Sequence, residues 1–95
     1  MTEPAKRLRI ALDYDGTYTA DSELWDAFIA LARARGHLVL CVSCRRPTAE
    51  NYEECKVPVP IHFTSLAAKD WHMKQRGLPI DIWIDDEPRA ITEGR

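Results

Sequence analysis

Apolar residues along this chain come in short runs separated by polar turns, and the runs alternate between strand-like and helix-like periods. "LRIAL" (Leu8 to Leu12) reads as a first strand ending at Asp13. Beyond "DGTYTADS", the apolar positions Leu24, Trp25, Phe28, Ile29, Leu31 and Ala32 recur at helical spacing. Asp21 or Ser22 is placed to cap that helix, Glu23 and Asp26 suit its positive end, and Gly36 supplies the stop. "LVLCV" (Leu38 to Val42) is apolar without alternation, the mark of a strand covered on both faces, and ends at Ser43. A short polar helix is predicted within "TAENYEEC", after Pro47. "VPVPIHF" is strand-like, but Pro58 and Pro60 confine it to a sheet edge. Ser65 is placed to cap a third helix reaching about Arg76, closed by Gly77 with Pro79 beyond. "IDIWI" is a fourth strand ending at Asp85 and Asp86, and Pro88 opens a last short helix.

Strands alternating with helices predict an α/β fold built on a parallel sheet. In such sheets ligands sit beyond the carboxyl ends of the strands. That rule gathers Asp13 and Asp15 from the first strand, Ser43 from the second, and Asp85 and Asp86 from the fourth onto one edge.

Composition narrows the function classes. The 95 residues suit one domain spanning 1–95, and 45% hydrophobic with 29% charged residues is an ordinary globular balance. A net charge of -2 gives no electrostatic footprint for general nucleic-acid or membrane binding. No apolar run approaches the roughly 20 residues that span a bilayer. "MTEPAKRLRI" lacks the apolar core of a secretory signal, and three cysteines make no disulfide framework, so a cytoplasmic location is expected.

Several carboxylates on one edge repel one another unless a cation neutralises them. Oxygen ligands without cysteine or histidine favour Mg²⁺ shared with a substrate phosphate. A carboxylate beside such a metal can attack phosphorus to form an aspartyl-phosphate, and a second carboxyl two residues on can protonate the leaving oxygen and later activate water. A hydroxyl and a lysine to hold the phosphoryl oxygens complete the set, with Ser43 and Lys69 as candidates.

Asp13-Tyr14-Asp15-Gly16-Thr17 after strand one, Ser43-Cys44-Arg45 after strand two, a lysine near the start of a later helix, and Asp85-Asp86 after strand four occur in this order. In these motifs the chain resembles the haloacid dehalogenase-like (HAD) superfamily of phosphohydrolases, over most of its length. The resemblance implies a three-layer, doubly wound, Rossmann-like sheet of about four parallel strands in the order 3-2-1-4. It implies Asp13 as nucleophile and metal ligand, and Asp15 as general acid/base with its backbone carbonyl on the metal. Asp85 would complete the Mg²⁺ site, and Asp86 would orient the lysine or a metal-bound water. Gly16, Ser43 and Lys69 form the implied phosphate-binding set.

Lys74 also fits the lysine motif, but it lies late in its helix, where positive charge is favoured anyway. Lys69 lies near the first turn, where the dipole disfavours it and an anionic partner would account for it; Lys69 is preferred. The stretches following Asp15 and following strand three are too short for the cap domain many relatives carry. A capless site is open, suited to a nucleotide or a phosphorylated polynucleotide end, with Arg45 and Arg46 beside it as either phosphate grips or surface residues. A homodimer is one way to supply the missing lid.

Competing readings weigh less. An EF-hand loop would want Gly at its sixth position and Glu at its twelfth, where Tyr18 and Leu24 stand. A receiver domain orders its acidic pair and phospho-accepting Asp the other way round. Cys41 and Cys44 have zinc-like spacing but no second pair, and Cys41 lies within an apolar strand. Trp25, Phe28, Trp71 and Trp83 read as packing residues, and His37, His62 and His72 show no ligand spacing. The alternative to an enzyme is a non-catalytic relative that binds Mg²⁺ and phosphate or serves in assembly.

Overall fold

The computed structural model describes residues 4–94. Four strands, β1 (Arg9–Leu12), β2 (Leu38–Ser43), β3 (Ile61–Phe63) and β4 (Ile82–Ile84), alternate with helices α1 (Ser22–Ala34), α2 (Ala49–Glu54), α3 (Lys69–Gln75) and α4 (Arg89–Thr92). All strands are parallel, in the order β3-β2-β1-β4. The expected doubly wound α/β architecture is the one observed. Among the described residues no helix is long and apolar enough to cross a membrane.

Local chemistry accounts for the elements. The Asp21 carboxylate accepts the Leu24 N–H at 3.1 Å and caps α1, which ends where Gly36 takes a left-handed φ of 87°. Thr48 Oγ1 accepts the Asn51 N–H at 3.1 Å and caps α2. Proline confines β3 to three residues, yet the Pro60 carbonyl still accepts the Cys41 N–H at 2.9 Å, because proline lacks only the donor.

Alternate residues of the central strands face opposite layers. Leu12, Val39 and Cys41 pack with Ile29 and Ala32 of α1, whereas Ala11, Leu40 and Val42 pack with Met73 of α3. Both faces are thus covered, which is why β1 and β2 are apolar without alternation.

Two expectations change, and the helical period of α1 acquires a direction. Ser65 does not cap a helix; it and Leu66 take φ of 53° and 69°, and α3 begins only at Lys69. Trp71 is 58% exposed on α3 rather than a packing residue. Leu24 and Leu31 keep the helical period but lie on an exposed flank of α1, while Ile29 and Ala32 face the core.

Candidate active site

Because β1 and β4 are neighbours, the residues that follow them emerge side by side. Asp13, Asp85 and Asp86 offer carboxylate oxygens that all lie within 4.8 Å of one another. Into this cluster reaches Lys69, only 1% exposed, whose Nζ donates to Asp13 Oδ1 at 2.7 Å and Asp85 Oδ2 at 2.6 Å. The turn at residues 64–68 aims it there. Ser65 and Leu66 N–H donate to the carbonyls of Arg45 and Cys44 at 3.1 and 3.0 Å, fixing two left-handed residues at a cost of about 1–2 kcal/mol each. Backbone strain of this kind is retained where the surroundings hold it in place.

The charges are unequal. One ammonium faces three carboxylates, and the environment records the imbalance. Burial pushes the Asp13 carboxyl up to about 6; Lys69 opposes the rise, and Asp86 and Asp85 add to it. Burial also works against the charge on Lys69, but its two carboxylate partners outweigh it and hold the ammonium above its ordinary value. Asp86, exposed, is held below the usual carboxylate range by hydrogen bonding with Asp13, with Thr17 assisting. An all-oxygen donor set carrying excess negative charge fits a hard divalent cation such as Mg²⁺. Asp13, Asp85 and Asp86 are the residues that would hold it.

Asp15 stands apart from that cluster. Arg45 Nε and Nη2 donate to its two oxygens at 2.9 and 2.7 Å, and this pairing holds the Asp15 carboxyl below its ordinary range. The same guanidinium donates to Asn51 Oδ1 at 3.0 Å and Glu54 Oε2 at 2.9 Å, and lies 5.5 Å from the Tyr14 ring centre. Arg45 is therefore neither a free phosphate grip nor a solvated surface residue. It ties the first motif to α2. Arg46 is exposed.

The remaining motif residues fall as follows. Ser43 is 1% exposed at the end of β2, and its Oγ accepts the Arg45 N–H at 3.2 Å. Thr17 Oγ1 accepts the Asp86 N–H and donates to Asp86 Oδ1, both at 3.1 Å. The lysine is thus held by Asp13 and Asp85 and the threonine by Asp86, so of the two roles expected for Asp86, orienting the lysine falls to Asp85 instead. Gly16 donates its N–H to Thr19 Oγ1 at 3.0 Å, so that amide is already used rather than turned to a phosphate. Its φ of 81° and the Asp86 carboxylate against its Cα, where a Cβ would collide, explain the glycine. Gly16→Ala is expected to cost about 1–3 kcal/mol from the backbone alone, read as a lower urea midpoint. Lys74 pairs with Asp70 at 3.0 Å on the surface of α3, away from the cluster. Cys41 is fully buried, and burial raises its thiol to about 12, leaving an unreactive core residue.

Above the cluster lies a cavity of about 480 Å³. One wall is a feature the sequence reading missed. Glu87, Arg89, Ala90, Glu93 and Gly94 cross the carboxyl edge of the sheet and line it opposite Cys44 and Leu66. Gly94 sits so close to the backbone of Ala67 and Ala68 that a Cβ there would collide with the Ala68 amide. The only sequence signal was the short helix after Pro88; nothing in its residue types points to a site.

The chain matches no family model, no curated protein and no solved structure.

Proposed function

We propose that this protein is a capless, Mg²⁺-dependent phosphohydrolase of the HAD-like type that works through an aspartyl-phosphate. The observation that carries the reading is the buried Lys69 ammonium bridging Asp13 and Asp85 beside a third carboxylate, at the mouth of a cavity. A lysine this buried needs its charge for something, and a substrate phosphoryl group drawn to the same ammonium supplies a use.

In this reading an Asp13 oxygen attacks phosphorus as the bond from phosphorus to the leaving oxygen breaks. Asp15, released from Arg45, gives that oxygen its proton. Water then attacks the aspartyl-phosphate and passes its proton to Asp15, freeing phosphate and restoring the Asp13 carboxylate. Lys69 and the Ser43 hydroxyl offset charge on the phosphoryl oxygens. Mg²⁺, when bound, neutralises the carboxylates and polarises the phosphoryl group. Substrates of the size of a nucleotide, or a phosphorylated polynucleotide end, suit the cavity's volume and its open side.

A second reading, a module that binds Mg²⁺ and phosphate without turnover, draws on the Asp15–Arg45 pair, because a carboxylate held by two hydrogen bonds is a poor proton donor. One experiment separates them. Phosphate release is measured on nucleotides, 3′- and 5′-phosphorylated oligonucleotides, sugar phosphates and an aryl phosphate, with and without Mg²⁺, for the native chain and Asp15→Asn. The native chain is expected to turn over a substrate only with Mg²⁺. Asp15→Asn is expected to release one burst of phenol from the aryl phosphate and retain the phosphate covalently. Mg²⁺ binding without turnover on any substrate would favour the module.

A further inference from the structure

We propose that the open edge of β4, together with the flank of α1 beside it, is a twofold interface between two copies of this chain. The inference is independent of the proposed chemistry. β4 is an outer strand of the sheet, and its sequence, Ile82-Trp83-Ile84, carries none of the prolines or charges that guard exposed strand edges. Ile82 is 42% exposed. On the same face of the sheet, Leu24 and Leu31 of α1 are 54% and 61% exposed. Seven residues apart, they stand two turns from each other on one flank of the helix. A second concavity, of about 390 Å³, joins the two elements and is lined by Ala20, Leu24, Trp25 and Ile84.

The occupant follows from the symmetry of what is exposed. Antiparallel pairing of β4 with itself about Trp83 sets Ile82 of one copy opposite Ile84 of the other. A twofold axis perpendicular to the sheet keeps both α1 helices on one face. Because α1 runs from the carboxyl end of β1 back to the amino end of β2, Leu24 of one copy then stands at the level of Leu31 of the other.

Charge agrees with that direction. Exposed Lys6 and Arg7 lie at the amino end of β4, where Lys6 reaches Asp81, and exposed Asp86 and Glu87 lie at its carboxyl end. Antiparallel pairing brings the basic end of each copy to the acidic end of the other. The product is one continuous eight-stranded sheet, four strands from each copy.

Sedimentation equilibrium of the full chain across a concentration series tests this. A species near twice 10.9 kDa is expected. Leu24→Glu and Ile82→Lys should each weaken it by about tenfold or more, as loss of a central apolar contact does. Leu24→Glu lies on an exposed helix flank, so it keeps the test valid if the strand variant folds poorly; circular dichroism reports that. Trp71→Ala, at an exposed residue of α3, should leave the dimer intact. Lys6→Glu should weaken association, and adding Glu87→Lys should restore it. A chain that stays monomeric throughout overturns the proposal and leaves the surface to another protein's strand. So does a dimer that ignores Leu24→Glu and Ile82→Lys, or a charge exchange that brings no recovery.

Discussion

Lys69→Met is expected to destabilise the metal-free protein by about 3–5 kcal/mol, the usual consequence of removing one partner from a buried ionic cluster. Methionine matches the length of lysine, so little packing is lost; what goes is the only cation touching Asp13 and Asp85 among the described residues. Their carboxylates would then face each other and Asp86 with no counter-charge, and a stability deficit of this size lies within reach of the whole folding free energy of a small domain. Urea denaturation without divalent cations reads the loss directly. Added Mg²⁺ should recover part of it, because a divalent cation offers the charge that the ammonium supplied. A variant as stable as the native chain would show that Lys69 does not compensate the cluster. In the proposed reaction the same substitution removes a charge that holds the phosphoryl oxygens, so phosphate release should fall together with stability.

Asp13→Asn is expected to move activity the same way and stability the opposite way. In the proposed reaction Asp13 is the nucleophile, so phosphate release should drop by about a thousandfold or more. The metal-free fold, however, should gain. The Asp13 carboxyl titrates at about 6 in the folded chain against an ordinary 3.8, so the native state holds this proton more tightly than the unfolded chain does. The contribution is fully present below about pH 4 and is lost as the pH rises through 6. Asparagine imitates the protonated, uncharged form at every pH. The variant is therefore expected to be about 1–3 kcal/mol more stable than the native chain at pH 7.5 without metal. The two should converge near pH 4. Adding Mg²⁺ should stabilise the native chain more than the variant, which has lost a ligand. If the variant proves less stable at pH 7.5, the hydrogen bond from Lys69 outweighs the crowding of carboxylates.

Two substitutions at either end of one 2.7 Å contact thus separate what a functional site contributes from what it costs. In the proposed reaction both would remove the chemistry, but only one of them is expected to relieve the fold.

The parts of this molecule legible in its sequence are those decided over short distances. Asp21 announces the start of α1 because a cap needs only its own next turn. Strand alternation with helices gives the parallel sheet, and the parallel sheet brings Asp13, Asp85 and Asp86 to one edge. Lys69 was also legible, through a misplaced charge at a helix start.

What escaped depends on contacts distant in the chain or on direction. Ser65 has the right residue type for a cap, but Lys69 must reach Asp13, 56 positions earlier, and the turn that delivers it puts Ser65 and Leu66 in left-handed conformations. Asp85 and Asp86 are interchangeable in a string of letters. The chain bends at Asp86, just beyond β4, so that within one cluster Asp85 meets Lys69 and Asp86 meets Thr17. Helical periodicity finds Leu24 and Leu31 but says nothing of whether that flank faces the core or the water. Arg45 stood next to a phosphate motif, and its attachments to Asn51 and Glu54 exist only because α2 folds back beside β2.

The strand order has a consequence for how the chain comes into being. β1 leaves the ribosome first and β4 last, yet the two lie side by side, with Asp13 and Asp85 separated by 72 positions (85 less 13). Until β4 has been synthesised, β1 can pair only with β2, and its other edge waits open. The like charges of Asp13 and of Asp85 and Asp86 therefore do not meet before β4 is made. They come together in the last pairing step, with Lys69 already synthesised to receive them.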